Sequence, residues 1–278
     1  MAKRTIDKIG FIGAGNMAFA IAQGLARNGS IDAAKQFLVF APSMRNLPKF
    51  EQAFKCQTSN DINILESNQS DLVFVCVKPT ILHQPLLTLK SKNPLVVSVA
   101  AGVTIESLKK SIITSSGSFV RIMTNTCCAI GASVCATCID PEIEGEPRKQ
   151  LESDLRTFLS PLGEVQFVEE SHLNAITALA GSGPAFGLMF LQAMADGAVK
   201  VGLPRPLATR LAAQTLSGSA SMVLATSEHP ISLRDKICSP GGTTIHGIHA
   251  LEKSSFTAGI IDAIEAATKR ALEMSLSK

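Results

Sequence analysis

The stretch Lys8–Leu25, KIGFIGAGNMAFAIAQGL, decides the fold. A short apolar run ends at Gly13-Ala14-Gly15-Asn16-Met17-Ala18, and helix-forming residues follow. A lone G-x-G-x-x-A pattern says little; one that follows a strand and opens a helix is in the context that gives it meaning. Gly13 permits a tight turn, Gly15 lets backbone approach a pyrophosphate, and Ala18 allows close helix–strand packing. The N–H groups and positive dipole end of the helix are then offered to phosphates, with Ala14, Asn16 and Met17 in the same turn. The alternative is a tight strand–helix turn without a ligand.

The second strand narrows the cofactor. A site that prefers NAD usually ends this strand with Asp or Glu, which binds the ribose hydroxyls. Here it runs Phe40-Ala41-Pro42-Ser43-Met44-Arg45-Asn46, with no acid. Ser43, Arg45 and Asn46 are placed to donate to a 2′-phosphate, so NADPH is expected ahead of NADH. The alternative for Arg45 is a solvated surface charge.

Further strands follow at helix-length intervals: FLVFA (Phe37–Ala41), DLVFVCV (Asp71–Val77), LVVSVAAG (Leu95–Gly102) and FVRIM (Phe119–Met123). Continuous apolar strands alternating with helices predict a parallel sheet covered on both faces, a doubly wound α/β domain of Rossmann type. After about Glu169 the composition turns helical, through NAITALAGSGPAFGLMFLQAMADGAVKVGL, RPLATRLAAQTLSGSASMVLA and FTAGIIDAIEAATKRALEMS. The expected organisation is a dinucleotide-binding domain over 1–168 and an all-helical substrate-binding and dimerisation domain over 169–278.

Composition sets limits. At 278 residues, 46% of them apolar and 18% charged, the chain is globular and long enough for two ordinary domains. A net charge of +3 without a basic block implies no nucleic-acid partner. Tyr and Trp are absent, so no phenol can act as a catalytic acid. MAKRTIDKIGFIG lacks the apolar core and cleavage site of a signal peptide. Seven cysteines, an odd count, fit a reducing, cytoplasmic setting. Cys135-Ala-Thr-Cys138 has metal-like spacing, but GASVCATCID reads more simply as a strand of small apolar residues, so no metal is expected. Ser171–Ala195 carries no Asp, Glu, Lys or Arg, which raises the question of a membrane span. Gly181-Ser182-Gly183-Pro184 interrupts it, so a helix buried in a core or subunit interface is the better reading.

Several segments together resemble the pyrroline-5-carboxylate reductase family: GFIGAGNMAFAIAQGL, VKP (Val77, Lys78, Pro79), SVAAGV (Ser98–Val103), TALAGSGPAF, DGAVKVGLPRPLATRLAAQT and CSPGGTTIHGIHALE (Cys238–Glu252). They span nearly the whole chain in order, and the last is the most specific. The resemblance implies NADPH-dependent hydride transfer to the carbon of a cyclic imine, converting 1-pyrroline-5-carboxylate to L-proline in the final step of proline biosynthesis. It places Val77, Lys78, Pro79, Ala100, Ala101 and Gly102 at the cofactor, and Asn60 and Asn125 complete the expected cofactor set. It also implies a homodimer, the unit of a pentamer of dimers, with each active site near the subunit boundary. Two departures stand out. Thr124 and Cys127 occupy positions where the family commonly has proline, predicting a looser loop. Phe186 stands where members often have tyrosine, arguing against an essential hydroxyl there.

The substrate's carboxylate needs anion recognition. Backbone N–H groups of Gly241, Gly242, Thr243 and Thr244 at a helix start can supply it, with Pro240 stiffening the turn. Thr244 is the candidate for a hydroxyl contact to the ring nitrogen. A cyclic imine is basic enough to be partly protonated near neutrality, so its reduction needs positioning more than a strong acid. The plainer alternative makes Thr243 and Thr244 helix caps. His246 and His249 share a helical face, and hydrogen-bonded structural rings are the expected reading. Ser182 borders the site or kinks the helix. Glu228 lines the pocket or is a solvated charge.

Two other classes compete. A hydroxy-acid dehydrogenase of similar architecture needs a general base, usually a Lys on the first interdomain helix, and no Lys lies between Ser171 and Ala195. A non-catalytic NADPH-binding protein has the altered Thr124–Cys127 loop as its support.

Overall fold

The computed structural model describes residues 6–27, 29–82, 87–89 and 93–276. Among the described residues ten strands are present: β1 (Ile9–Ile12), β2 (Phe37–Phe40), β3 (Gln57–Ser59), β4 (Leu72–Val75), β5 (Leu87–Leu89), β6 (Leu95–Ser98), β7 (Ile112–Thr114), β8 (Ser118–Met123), β9 (Ser133–Ile139) and β10 (Gly163–Phe167). Eight of them form one sheet in the order β10-β9-β8-β6-β4-β1-β2-β3, and β5 and β7 form a separate parallel pair. The main helices of this region are α1 (Asn16–Ala26), α2 (Leu47–Phe54), α3 (Ile105–Ser111) and α4 (Gly145–Leu159).

The strands β1, β2 and β4 are buried at every position, as apolar runs without polar alternation require. Side chains alternate between faces. Phe11, Phe37, Phe74, Val97 and Val120 pack in one core cluster; Ile12, Leu38, Val75, Val96 and Phe119 pack in the other. Phe11 sits between Phe37 and Phe74, with both ring centroids 5.3 Å away, one edge-on and one stacked.

The sheet is parallel except between β8 and β9, which run antiparallel with Arg121 opposite Cys138. The strands read from the sequence, β1, β2, β4, β6 and β8, pair in parallel as expected, and the antiparallel pairing is added beyond β8. A parallel return needs a crossover of a dozen or more residues, and the link between these strands is a short one closed by Gly131 at φ +72°. Helix α4 then supplies the crossover that makes β10 parallel to β9.

The chain divides into two compact units, one of Met1–Gly181 with Ala267–Lys278 and one of Ser182–Ala266. The boundary therefore falls later than the composition change at 168/169. Leu173 is the reason: it is buried in the second core cluster with Val168 and Ile176 packed beside it. The helices that follow Ser182 are α5 (Gly183–Lys200), α6 (Arg205–Thr226), α7 (Pro230–Ile237), α8 (Thr243–Lys253) and α9 (Phe256–Leu276). The second unit has a thin core of its own, formed by Ala195, Ala208 and Ala212 between α5 and α6.

Candidate active site

Parallel register brings the first set of predicted residues to one edge of the sheet. Ile12 pairs with Phe40 and Val75, Val75 with Ser98, Phe40 with Ser59, and Ser98 with Arg121. Each strand leaves the sheet just beyond. Gly13–Met17, Ser43–Arg45, Asn60, Val77–Pro79, Ala100–Gly102 and Asn125 thus follow the carboxyl ends of six strands. Strand order reverses at β1, whose neighbours are β2 and β4, and this is where open α/β sheets bind ligands.

Gly13 has φ +104°, and a Cβ there would lie 2.9 Å from the Cys76 carbonyl oxygen. Its N–H donates to Phe40 O at 2.8 Å, locking the turn to β2. At Gly15, the N-cap of α1, an added Cβ would meet nothing within 4 Å, so the space is open for a ligand. The first intrahelical bond runs from Phe19 N–H to Gly15 O at 3.0 Å. The N–H groups of Asn16, Met17 and Ala18 precede it, and no acid occupies the first turn to repel a phosphate. Ala14 and Ala18 are buried, Asn16 is exposed and Met17 half-buried.

Ser43 accepts the Arg45 N–H at 3.4 Å and caps the short turn Met44–Asn46. Arg45 is exposed and has no carboxylate partner among the described residues. Asn60 is also exposed at the end of β3, whose Ser59 O accepts the Ala41 N–H at 3.1 Å. An adenosine 2′-phosphate fits this donor set, and a cradle without an acid after β2 suits NADP better than NAD. Val77 is half-buried and Lys78 exposed; the Pro79 side chain lies outside the described residues. Ser98 Oγ accepts the Ala100 N–H at 3.2 Å, and Gly102 takes φ +68°.

The loop after β8 is pinned, contrary to the expectation from its missing prolines. Thr124 is buried, with its hydroxyl 2.8 Å from Ser133 Oγ. Asn125 donates its N–H to Ser133 Oγ (3.2 Å) and its side-chain amide to Ala180 O (2.8 Å), and accepts the Cys127 N–H (2.9 Å). Hydrogen bonds replace the ring constraint. Asn125 therefore acts first as a structural tie, with one amide hydrogen and part of its oxygen left to meet a cofactor.

The second predicted set lies in the helical unit. Gly241 takes φ +65°, and Gly242 is the N-cap of α8. A Cβ on Gly242 would meet Ser239 Oγ, a hydroxyl that can rotate aside, so the position in this turn that favours glycine is Gly241 with its positive φ. The Gly242 N–H donates to Ser239 O at 3.0 Å. It is thereby withdrawn from the expected anion-binding set, which leaves the N–H groups of Gly241, Thr243 and Thr244. The capping alternative for the threonines also falls: they are the first two helical residues, and neither hydroxyl has a hydrogen-bond partner among the described residues. Thr244 is half-buried and Thr243 exposed, and no acid lies in the first turn.

The His246 ring nitrogen Nδ1 lies 2.9 Å from Gly242 O, the structural role expected of it. His249 is exposed. Ser182 ends a π-turn over Thr177–Ser182 and precedes the Gly183-Pro184 start of α5, so it sits where the helix changes pitch. Glu228 is paired with Lys236 and tethers α7, a structural place rather than one facing an anion. Cys135 and Cys138 are buried on opposite faces of the sheet, in different core clusters, and cannot share one ion. Residues that supported the site without being foreseen are Ser98, Ser239 and Thr104, whose hydroxyl accepts the Ser107 N–H at 3.2 Å to cap α3. Of these, Thr104, a threonine standing directly before a helical run, was the legible signal.

The comparisons with known proteins bear on the whole chain. Residues 170–274 match the family described as pyrroline-5-carboxylate reductase dimerisation, and residues 8–102 match NADP oxidoreductase, coenzyme F420-dependent. Pyrroline-5-carboxylate reductase 3 of Danio rerio is 41% identical over 271 residues, covering 96% of this chain and 91% of that protein. Pyrroline-5-carboxylate reductase 2 of Homo sapiens is 40% identical over 279 residues, covering 96% and 83%. Among solved structures, the Streptococcus pyogenes 1-pyrroline-5-carboxylate reductase has TM-score 0.80 at 30% identity, covering 95% of this chain and 97% of that one. The Plasmodium falciparum pyrroline carboxylate reductase, solved with NADP bound, has TM-score 0.78 at 27% identity, covering 99% and 100%. Kinship at this level over nearly all of both chains, together with the glycine turn and the helix start at Thr243, places the chain in the pyrroline-5-carboxylate reductase family.

Proposed function

We infer that the chain is an NADPH-dependent pyrroline-5-carboxylate reductase, which reduces 1-pyrroline-5-carboxylate to L-proline. The observation that carries this is identity of about 40% with reductases of that name across 96% of the chain. Bound NADPH supplies the hydride that adds to the imine carbon. The turn Gly13–Ala18 holds its pyrophosphate with helix N–H groups, and Arg45 and Ser43 meet the 2′-phosphate. The N–H groups of Gly241, Thr243 and Thr244 take the substrate carboxylate. The Thr244 hydroxyl, unbonded within the described chain, accepts from the protonated ring nitrogen and so fixes the ring's orientation. Purified protein should oxidise NADPH in step with added imine and form proline. NADPH oxidation that ignores the imine, or requires a 2-oxo acid instead, would overturn this reading.

We further propose a homodimer, itself the unit of a pentamer of dimers, in the cytoplasm. Glu170–Lys200 is long and apolar enough to cross a membrane, and only 11% of its most apolar 18-residue window is buried within one chain, so its apolar face needs a cover from outside the chain. Leu188, Met189, Leu224 and Ile261 are at least 60% exposed, on three different helices. An apolar groove of about 360 Å³ runs between Phe186, Phe190, Leu251, Phe256 and Ile260. Apolar surface spread over several helices suits a second copy better than lipid. Light scattering at micromolar concentration should give at least twice the chain mass; a monomer would refute the dimer. Seven free cysteines support a reducing compartment.

A further inference from the structure

Arg121, on β8, is 7% exposed. Its Nη1 donates to Glu170 Oε1 at 2.7 Å. The same carboxylate oxygen accepts the Ile105 N–H at 2.9 Å. Ile105 is the first residue of α3, directly after the capping residue Thr104 and three beyond Gly102. A carboxylate at a helix start gains from the dipole as well as from the hydrogen bond. One ion pair, buried at its Arg121 end and half-buried at Glu170, therefore ties the sheet to the segment that leaves β6 at the cofactor edge.

The rest of that segment is held by smaller contacts. Ser98 Oγ holds the Ala100 N–H upstream. Gly102 backs onto α9, where an added Cβ would stand 3.2 Å from Ser275 Cα. Between these groups lies a cavity of about 210 Å³, bordered by Gly102, Thr104, Arg121, Glu170, Asn174 and Ser275. Packing alone does not hold a loop beside open space. Without Glu170, nothing else among the described residues receives the Ile105 N–H, and Arg121 is left as a buried unpaired cation.

We propose that Arg121 and Glu170 are positioning residues for the cofactor, holding Ala100–Gly102 in the shape that NADPH meets. The proposal rests on reading that loop as part of the cofactor edge. Neither side chain is assigned a contact with substrate or a role in the transfer itself.

The test measures NADPH affinity by the emission of the dinucleotide, which a chain without Trp or Tyr does not obscure. Glu170→Ala strands Arg121 and threatens folding, so the working variant is the double Arg121→Leu with Glu170→Ala, which removes both charges. Loss of one anchoring hydrogen bond corresponds to an NADPH Kd raised about three- to tenfold. KM for the imine should stay put. Glu170→Gln keeps an acceptor for Ile105 and should recover part of the affinity. A purely structural role would lower the melting temperature and leave Kd unchanged. A folded double variant that binds NADPH like wild type, or that loses imine and cofactor affinity equally, overturns the proposal. Wild-type protein that fails to bind NADPH overturns the functional reading instead.

Discussion

Thr244→Ala separates chemistry from stability because the geometry assigns the hydroxyl to only one of them. Gly242 is the N-cap of α8, and the Thr244 hydroxyl bonds to nothing among the described residues. Removing it breaks no cap. Alanine is the better helix former, by up to about 0.7 kcal/mol. At roughly 2–4 °C per kcal/mol for a domain of this size, Tm should hold or rise by up to about 3 °C. Catalysis should respond differently. If the hydroxyl accepts from a charged iminium, its loss costs about 1.5–3 kcal/mol, roughly a 10- to 150-fold fall in kcat/KM for the imine. A neutral imine would reduce the loss to about 0.5–1.5 kcal/mol, or several-fold. NADPH affinity should change by less than about twofold, since its phosphates meet the β1–α1 turn and not α8. Thr244→Ser keeps the oxygen and should keep most of the activity. The assays are steady-state kinetics at saturating NADPH, a cofactor titration and thermal unfolding on both variants. Normal kcat/KM in Thr244→Ala would remove the residue from the chemistry, and a Tm drop of several degrees would restore the cap.

Three further outcomes follow from other parts of the molecule. The enzyme should show higher kcat/KM with NADPH than with NADH, and Arg45→Ala should weaken NADPH selectively; equal loss for both would detach Arg45 from the 2′-phosphate. Gly24→Ala places a Cβ against the Cys128 carbonyl oxygen and 2.7 Å from Leu162 Cδ2. It should cost about 1–3 kcal/mol by overpacking, read as a lower Tm; an unchanged Tm would mean that α1 and the 126–130 turn separate freely. Burial pushes the Cys128 thiol up to about 12 and the Cys56 and Cys135 thiols up to about 11. The fold keeps them protonated where the unfolded chain would ionise, so their contribution is whole below about pH 8.5 and is lost as pH rises towards those values. A thiol reagent at pH 8 should accordingly leave these three unmodified until the chain unfolds, and rapid native labelling of Cys128 would contradict its burial.

Some of this was determined by sequence alone, because the causes are local. Backbone at Gly13 must reach φ +104° beside Cys76, and a strand that ends in G-x-G-x-x-A announces that before any packing is known. Runs such as Phe37–Phe40 and Leu72–Val75, apolar at every position, require cover on both faces wherever they lie. The missing acid after β2 is likewise a plain feature of the chain. Tertiary structure decided what depends on where distant segments return. It drew Leu173 into the sheet's core and moved the unit boundary to Gly181. It withdrew the Gly242 N–H to Ser239, left the Thr244 hydroxyl without a partner among the described residues and pinned Thr124 through Ser133 without proline. It also joined Arg121, Glu170 and Ile105, which lie on three separate elements. Their partnership has no spacing to read, because a hydrogen bond between residues 49 and 65 positions apart follows from the path of the chain and not from its local pattern.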